Sequence, residues 1–444
     1  MKIIIAGCGE VGSHLAKLLS REEQDITVID EDSSKLAVLD SNYNLLTVQG
    51  RPTSFKTLRQ AGVEGCDLFI AVTPFETRNI VSCAIAKSLG AEKTVARVDN
   101  FEFKDPANRP FFASIGADDM IYPEYLAALE IITALNHNWA RHWFELHEGE
   151  LILVGVKLRD NAPLIGKYLK DLGRSTHDFH VAAIKRHHET IIPGGDDRLL
   201  ADDIVYFMTT REHVANLIPL CGKIERRIRD VIIMGGSRIA IQLCNMAGDK
   251  FNFKILDPDR ERCLKLSERC ADALIINADA RDTDALRDAG IVDTDAFIAI
   301  SDSSESNILT CLSAKEFGVK KTIAEVENLQ FISEAEGLNI GTVVNKKLLA
   351  SSRIYQMLLD RDSSTSKCLA LADAEVAEII AKEGSKITRA PIKDLHLSHY
   401  MTIAGLIRDG KGQLVGGNTV INPGDRVVVF TLDGVLHKVE KLFS

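Results

Sequence analysis

The chain contains a long internal repeat, which limits the folds that it can adopt. Residues 58–98 match residues 286–326 at 18 of 41 positions. A second match, at an offset of 222 rather than 228 residues, relates 182–203 to 404–425. The period is far longer than the ~20–50 residues of solenoid repeats. The sequence therefore predicts a tandem duplication of a unit that combines one large and one small module.

The large module alternates short apolar runs with segments of helical spacing. Lys2–Ala6 is a continuous apolar run, Val11–Leu19 has helical spacing, and Ile26–Ile29 is a second run. The same pattern restarts at Val231. Short apolar strands separated by helices are typical of a parallel sheet covered on both faces. The predicted fold class is α/β, with two Rossmann-like doubly wound parallel-sheet domains, each followed by a small α+β domain.

The small modules, at about 148–222 and 369–444, show strand alternation after turn signals. Val205 and Phe207, at alternating positions, follow the turn signal Pro193-Gly194-Gly195, and Val427 and Val429 follow Pro423-Gly424-Asp425, which predicts short half-buried strands with a helix or two. The predicted boundaries are 1–122 for the first large module, 123–147 for a crossover helix, 148–222 for the first small module, 229–342 for the second large module, 343–367 for a second crossover helix and linker, and 368–444 for the second small module.

An apolar stripe follows Pro123, a favoured helix-entry residue. Its members lie three or four residues apart: Leu126, Leu129, Ile132, Leu135, Trp139 and Trp143. Such a stripe fits either a core helix of the same domain or a crossover helix that packs on a partner module. A second helix of this kind is expected at 343–359, and the polar segments 223–230 and 360–367 are expected to be solvated linkers.

Composition and charge exclude several classes of protein. Of the 444 residues, 45% are hydrophobic and 26% are charged, as in ordinary globular proteins. The formal charge of -10 argues against a general nucleic-acid or anionic-lipid binder. The longest apolar runs fall far short of the ~18–20 residues that span a bilayer, and the strand and glycine loop in residues 2–12 leave no room for a cleavable signal. The nine cysteines are scattered without a Cys-x-x-Cys motif, which indicates reduced thiols and a cytoplasmic location.

A glycine motif follows the first strand and opens the first helix. It consists of Gly7, Cys8, Gly9, Glu10, Val11 and Gly12. In such a motif the first glycine makes a tight turn, the second lets the backbone approach a pyrophosphate, and the third lets helix and strand pack closely. Asp30 ends the second strand, where a carboxylate can accept hydrogen bonds from an adenosine ribose. The sequence thus predicts a dinucleotide or adenine-nucleotide site that favours NAD(H), because this carboxylate would repel a 2′-phosphate.

Further site residues follow from the rule that ligands lie beyond the carboxyl ends of parallel strands. Gln49 and Gly50 end the third strand, Thr73 and Pro74 follow the fourth, and Arg97 lies in the fifth. The guanidinium of Arg97 can either pair with a phosphate or form a salt bridge on the rim of the sheet.

The second copy of the motif is degenerate. Its residues are Gly235, Gly236, Ser237, Arg238, Ile239 and Ala240. Asp257 still ends the second strand, and Ala278 and Asp279 follow the third, but Glu325 stands where the first copy has Arg97. A carboxylate in place of a guanidinium disfavours phosphate. We therefore expect a second site that is weaker or prefers another nucleotide, the alternative being an empty pseudo-site.

The sequence contains no Gly-x-Ser-x-Gly elbow, His-Glu-x-x-His motif or P-loop, and no His or Lys is clearly placed for hydride-transfer chemistry. We therefore predict neither catalytic residues nor a metal site.

The duplicated glycine fingerprint with acidic strand ends resembles the TrkA family, the bacterial Trk-system potassium-uptake regulatory proteins. Each fingerprint is followed by a small module with a Lys-Asp-Leu segment, at 170–172 and 393–395, and a Gly-Gly turn. The resemblance covers essentially the whole chain and implies tandem RCK (KTN) domains in the order RCK_N, RCK_C, RCK_N, RCK_C. It further implies a non-catalytic regulatory subunit on the cytoplasmic face of a TrkH- or TrkG-type membrane potassium channel subunit. Nucleotide binding, by NAD(H), ATP or ADP, would alter the geometry of a homo-oligomeric ring, expected to be a tetramer.

The residues alone leave two classes open, an NAD-dependent oxidoreductase and a non-catalytic nucleotide sensor. The duplication favours the sensor, because each Rossmann unit is followed by only about 75 residues without an acid-base constellation. A DNA-binding redox repressor is disfavoured because no basic winged-helix segment flanks the glycine motif.

Overall fold

A computed structural model describes residues 1–20, 24–175, 178–187, 189–328, 330–338, 340–359, 365–371, 374–397, 399–432 and 435–444. The chain divides into two compact units. The first comprises residues 1–127 and 345–358, and the second comprises 128–344 and 359–444. None of the helices in the described ranges is long and apolar enough to cross a membrane.

The first large module is an α/β sheet domain. Its strands are β1 (Lys2–Ala6), β2 (Asp25–Asp30), β3 (Leu46–Gln49), β4 (Leu68–Ala71), β5 (Lys93–Arg97) and β6 (Asp119–Ile121), and its helices are α1 (Glu10–Leu19), α2 (Ser33–Asn42), α3 (Phe55–Gln60), α4 (Glu76–Ser88) and α5 (Arg109–Ser114). The strands are all parallel, in the order β3-β2-β1-β4-β5-β6. The apolar runs of β1 and β4 are buried at the centre of this sheet. The order reverses between β1 and β4, which is where doubly wound sheets bind ligands.

The apolar stripe after Pro123 is a shorter helix than its spacing predicts. Helix α6 (Pro123–Asn136) ends before Trp139, and Trp143 lies in the first strand of the small module. The prediction of a helix over 123–147 is therefore wrong for residues 137–147. The two tryptophans instead pack edge to face in the core of the first small module.

The first small module is a five-stranded antiparallel sheet with two short helices. Its elements are β7 (His142–Leu146), β8 (Leu151–Lys157), α7 (Leu169–Ser175), β9 (Phe179–Arg186), β10 (Glu189–Ile191), β11 (Ile204–Thr209) and α8 (Val214–Leu220), with the strand order β10-β9-β11-β8-β7. The Arg186 guanidinium forms a two-pronged ion pair with Asp203 at 2.8 Å. This pair explains why both residues recur in the second half, since the same pair forms there.

The second large module repeats the first. Its elements are β12 (Asp230–Met234), α9 (Arg238–Ala247), β13 (Asn252–Asp257), α10 (Arg260–Arg269), β14 (Leu274–Asn277), α11 (Thr283–Asp288), β15 (Ala296–Ala299), α12 (Ser304–Glu316), β16 (Lys321–Glu325), α13 (Gln330–Gly337) and β17 (Thr342–Val344). The strand order, β14-β13-β12-β15-β16-β17, is that of the first module, and all pairs are parallel. The predicted fold class is confirmed for both copies.

The last elements are a long helix and a second antiparallel sheet. They are α14 (Lys346–Leu359), β18 (Thr365–Leu371), β19 (Ala374–Ile380), β20 (Met401–Arg408), β21 (Lys411–Leu414), β22 (Arg426–Leu432) and α15 (Leu436–Glu440), with the strand order β18-β19-β22-β20-β21. The predicted linker 360–367 is partly wrong, because β18 already begins at Thr365. Its first part, 360–364, lies outside the described residues.

Helix α14 and most of α6 are each grouped with residues from the other half of the chain, whereas Tyr125 near the start of α6 packs against the core of the first large module. Helix α14 belongs to the compact unit of the first large module, where Lys347 pairs with Glu10 of the glycine loop. The second half of α6 belongs to the other unit, where Glu130 lies within electrostatic range of Lys321 in the second large module. Each half of the chain therefore contributes helix to the other half.

Candidate functional site

The first glycine loop has a conformation that its residue types require. Gly7 has φ of +112°, and a Cβ there would lie 2.9 Å from the Thr73 backbone nitrogen. A Cβ on Gly12 would lie 1.9 Å from the Gly7 carbonyl oxygen. By contrast, a Cβ on Gly9 would meet no atom within 4 Å. Gly7 and Gly12 thus allow the loop to pack closely. Gly9 leaves open space at the N-terminus of α1, where backbone N–H groups favour an anion.

Asp30 is fastened to this loop. One carboxylate oxygen accepts a hydrogen bond from the Cys8 backbone N–H at 2.6 Å, and the other accepts from the Asp32 N–H at 2.9 Å. Within the described ranges, no cationic side chain lies within 4 Å of this carboxylate. No ion pair therefore offsets this carboxylate, and its oxygens have further lone pairs that could accept hydrogen bonds from ribose hydroxyls.

Asn79 joins the ends of two central strands and was not recognised as a site residue from the sequence. Its side-chain oxygen accepts from the Thr73 N–H at 3.0 Å and from the Thr73 hydroxyl at 2.6 Å. Its amide donates to the carbonyls of Thr73 and Arg97, both at 2.9 Å. We call Asn79 and its four hydrogen bonds the asparagine clamp. Its recurrence at the repeat offset of 228, as Asn307, was the signal that could have revealed it.

Charged residues surround the first site. Glu31 pairs with Arg78 at 2.8 Å and with Arg51 at 3.7 Å. Gln49 donates to the Glu31 carbonyl at 3.3 Å, and the Gly50 N–H donates to the Asp30 carbonyl. These contacts hold the ends of β2 and β3 together beside Asp30.

Arg97 lies at the end of β5 and Pro74 in the turn after β4. Among the described residues, the Arg97 guanidinium has no ion-pair partner, so the salt-bridge alternative is not observed. The predicted residues Gly7–Gly12, Asp30, Gln49–Gly50 and Thr73–Pro74 do lie on the carboxyl edge of one sheet, as does Arg97. Their role in binding a ligand stays a prediction.

The Cys8 thiol within the loop is not a reactive group. Burial raises its pKa, and its sulfur lies 3.5 Å from the Ser13 hydroxyl. A thiol with a raised pKa is protonated near neutral pH and is a poor nucleophile.

The second copy keeps the loop geometry of the first. Gly235 has φ of +101°, and a Cβ there would lie 2.8 Å from the Ser301 nitrogen. The Asp257 carboxylate accepts from the Gly236 N–H at 2.7 Å and from the Asp259 N–H at 2.8 Å. An asparagine clamp also forms, because Asn307 makes the four equivalent hydrogen bonds to Ser301 and to the Glu325 carbonyl.

The side chains around the second loop differ from those of the first. Arg262 donates to Asp257 at 3.2 Å and approaches Asp302 to 4.0 Å. A Cβ on Gly236 would lie 2.4 Å from the Leu266 side chain and 3.2 Å from that of Arg262. Asp257 is only 1% exposed. The carboxylate that corresponds to Asp30 is therefore already paired and covered by its own chain.

The remaining predicted residues of the second copy lie around this loop. Asp279, just after β14, pairs with Arg281 at 2.6 Å, and Ala278 beside it donates its N–H to the Ile276 carbonyl. Glu325 is buried at the end of β16, and Ser237 precedes α9. Glu325 and the ion-paired Asp279 thus stand where the first copy carries Arg97 and Arg51.

Comparison with known proteins identifies the four modules. The TrkA-N domain family matches residues 3–123 and 231–346. The TrkA-C domain family matches residues 153–222 and 376–444.

Full-length relatives share this organisation. The chain is 32% identical over 451 residues to the Trk system potassium uptake protein TrkA of Halomonas elongata, covering 100% of this chain and 99% of the relative. It is 29% identical to a TrkA homolog 1 of Methanosarcina mazei, covering 100% of both, and 29% identical to TrkA of Vibrio alginolyticus, covering 100% and 99%.

Solved structures share the fold. The GsuK RCK domain superposes with a TM-score of 0.60 at 17% identity, covering 99% of this chain and 94% of that one. The GsuK channel bound to NAD superposes with a TM-score of 0.60 at 16% identity, covering 100% and 78%.

Proposed function

This chain belongs to the TrkA family, and we propose that it is the nucleotide-binding regulatory subunit of a Trk-type potassium uptake system. In this proposal it sits peripherally on the cytoplasmic face of the membrane and acts on a TrkH- or TrkG-type channel subunit. It performs no chemical turnover. Full-length similarity to proteins named for Trk potassium uptake supports this assignment.

The observation that carries the proposal is the geometry of the first glycine loop. Gly9 offers open space at the N-terminus of α1, and Asp30 presents unpaired carboxylate lone pairs beside it. A diphosphate fits the first feature, since helix N-termini bind anions, and a ribose diol fits the second. The residues thus suit NAD(H), ADP or ATP, and the bare charge of Asp30 disfavours a 2′-phosphate. The GsuK channel has been solved bound to NAD and bound to ADP.

We propose further that the second site binds nucleotide more weakly. The Arg262 guanidinium is hydrogen-bonded to the Asp257 carboxylate that a ribose would need. The Leu266 side chain lies close to Gly236. A ligand must displace the guanidinium before it can bond to Asp257.

Regulation requires only that the nucleotide bind two conformations of the assembly with different affinities. Typical coupling free energies are ~1–3 kcal/mol, or ~5–150-fold in affinity. Residues 1–127 and 345–358, which include the first large module, form a compact unit of their own, so ligand at the first site has a distinct body to act on. A ring of four chains would contain eight large modules.

Reconstituted transport tests the proposal. Potassium flux is measured in liposomes that hold a TrkH-type subunit, with the full chain and each of NADH, NAD, ADP and ATP in turn. We expect at least one nucleotide to change the flux, and we expect Asp30→Ala to require roughly 5- to 150-fold more of it.

Lys250→Gln, an exposed change between α9 and β13 and outside both glycine loops, serves as the control and should respond as wild type does. If no nucleotide changes the potassium flux while the chain stays bound to the TrkH-type subunit, the regulatory proposal fails. Steady oxidation of NADH with a defined substrate would instead favour the oxidoreductase class.

A further inference from the structure

An ion pair joins the first glycine loop to a helix from the other half of the chain. The Lys347 ammonium, near the start of α14, pairs with the carboxylate of Glu10, which is the first residue of α1. Both residues belong to the same compact unit. Glu10 directly follows Gly9, where a Cβ would meet no atom within 4 Å. The pair therefore lies beside the open space that a phosphate group would enter.

The two members of this pair differ in exposure. The Glu10 side chain is 63% exposed, whereas that of Lys347 is only 15% exposed. Burial lowers the pKa of Lys347, because an ammonium that loses water is costly unless an anion lies close to it. An ion pair with one exposed member contributes little stability, since water and salt screen it. A more highly charged anion could therefore compete with Glu10 for this ammonium.

The position of Lys347 in its helix also favours an additional anion. The Asn345 side chain accepts hydrogen bonds from the backbone N–H groups of Lys347 and Leu348, both at 2.9 Å, and so caps the N-terminus of α14. Lys347 thus lies in the first turn, where the helix dipole disfavours a cation. Glu10 lies in the first turn of α1. The first turns of two helices and an ammonium therefore concentrate positive potential around one exposed carboxylate.

The two copies carry opposite charges at these positions. The repeat offset of 228 places Arg238 where the first loop has Glu10. Glu124 is the second residue of α6, as Lys347 is of α14, and each helix begins two residues after the last strand of its sheet ends. The first copy is thus acidic at both positions and the second is basic at both, so only a helix from the other half offers a loop the opposite charge. The pair of Glu10 with Lys347 has this arrangement, which indicates that the charges of both halves specify it.

We propose that Lys347 is a phosphate-sensing residue of the first site, contributed by the second half of the chain. This proposal rests on the proposed function. Phosphate at the N-terminus of α1 competes with Glu10 for the Lys347 ammonium, and the displaced Glu10 carboxylate turns to solvent, to which it is already largely exposed. Ammonium groups are common protein ligands of phosphate. Occupancy of the first site would thereby change a contact of α14, from which the chain continues to the second small module.

The charge of the ligand's phosphate groups should set the strength of this contact. A nicotinamide dinucleotide has an internal diphosphate, whereas ADP and ATP end in a terminal phosphate that carries additional negative charge near neutral pH. An ammonium attracts the more highly charged phosphate more strongly. Lys347 should therefore increase the affinity of the first site for ADP and ATP more than its affinity for NADH.

Calorimetric titration of the full chain with ADP, ATP and NADH tests the proposal. Lys347→Gln should weaken the tighter binding of ADP and ATP roughly tenfold, as expected for the loss of a charge-assisted hydrogen bond, and should weaken that of NADH less. Lys93→Gln is the matched control, because it breaks another lysine–carboxylate pair, that of Lys93 with Asp119 at 2.7 Å. Lys93 begins β5 and so lies at the amino edge of the sheet, opposite the glycine loop. This variant should bind all three ligands as the wild type does.

A substitution of Glu10 separates phosphate sensing from a purely structural role. Glu10→Gln removes the competing carboxylate and leaves the backbone N–H groups of the loop in place, so ADP should bind about two- to fivefold more tightly. If the pair only held the loop against α14, Glu10→Gln would weaken binding just as Lys347→Gln does. Unchanged or weaker binding of ADP to Glu10→Gln would therefore overturn the proposal. Because Glu10 is largely exposed, this variant remains informative even if Lys347→Gln does not fold.

The same titrations separate this proposal from the proposed function. If the wild-type chain binds none of the three nucleotides, the proposed function fails and the sensing role of Lys347 fails with it. If the wild type binds ADP and folded Lys347→Gln binds it equally well, only the role of Lys347 is refuted. Equal weakening of ADP, ATP and NADH binding would show that Lys347 supports the loop without sensing phosphate charge, and would also refute it.

Discussion

The two large modules have the same backbone and differ in what their side chains leave available. Both have the strand order with a reversal between the first and fourth strands, a positive-φ glycine at the turn, and an asparagine clamp. In the first, the strand-end carboxylate of Asp30 bonds to backbone N–H groups and, among the described residues, has no ion-pair partner. In the second, Asp257 also accepts from Arg262, and Glu325 stands where the first copy has Arg97. Duplication has preserved the scaffold, whereas the chemistry of the site has diverged.

The second sheet also differs from the first at its other end. Gly341 and Thr342 stand there in place of the two aspartates of the first copy, Asp118 and Asp119. At this end Lys321 donates to the Ala140 carbonyl, and Arg141 donates to the Glu336 carbonyl. The second module thus shows fewer features suited to nucleotide and makes contacts with the segment that leads into the first small module. We infer a division of labour, in which the first module senses nucleotide and the second serves mainly as structural support.

The largest expected effect concerns what the two modules share. Asn79→Ala and Asn307→Ala should each lower the free energy of unfolding by about 2–4 kcal/mol, because each leaves buried backbone groups without hydrogen-bond partners. Chemical denaturation of both variants measures this. A loss at Asn79 alone would mean that the second scaffold has diverged as well, and the comparison drawn above would be wrong.

A smaller effect is expected on nucleotide affinity, and it should differ between substitutions of Asp30 and Asp257. Asp30→Ala should weaken binding of ADP or NADH by ~1–3 kcal/mol, the range for hydrogen bonds to charged groups. Asp257→Ala should leave the tighter of the two binding events unchanged, because that carboxylate is covered by Arg262. Calorimetric titration of both variants distinguishes the sites. Equal losses would show that the two copies bind alike.

Much of this comparison was predictable from the sequence because it depends on the local backbone. Gly7 was expected to make a tight turn, and its φ of +112° shows one. The helix predicted from the apolar stripe through Trp143 was too long, because spacing alone does not show where a helix ends. Asn136 and Asn138 could have indicated its end. Arg262 could not be found in this way, because its role depends on a side chain that reaches back from α10 to the end of β13.

The ion pairs of Lys87 and Lys93 in the first copy were equally hidden. Their partners, Asp118 and Asp119, lie 31 and 26 residues away along the chain. The change to Gly341-Thr342 in the second copy is conspicuous only when the strand register aligns the two copies. Contacts of this kind depend on tertiary structure, and no single-sequence pattern encodes them.

The smallest expected effect tests whether Arg262 itself weakens the second site. Gly9→Asp places a carboxylate in the open space of the first loop, where a Cβ meets no atom within 4 Å, and should silence that site without disturbing the fold. In this background, Arg262→Gln should strengthen ADP binding to the second site by about 0.5–1 kcal/mol, the range for a pair whose cation is partly exposed. Arg287→Gln, which breaks an exposed pair with Asp284 in α11, is the control, since neither residue is predicted to belong to the site. If Arg262→Gln weakens binding instead, the guanidinium is a ligand for phosphate rather than a competitor for Asp257, and the second module retains a nucleotide site of a different specificity.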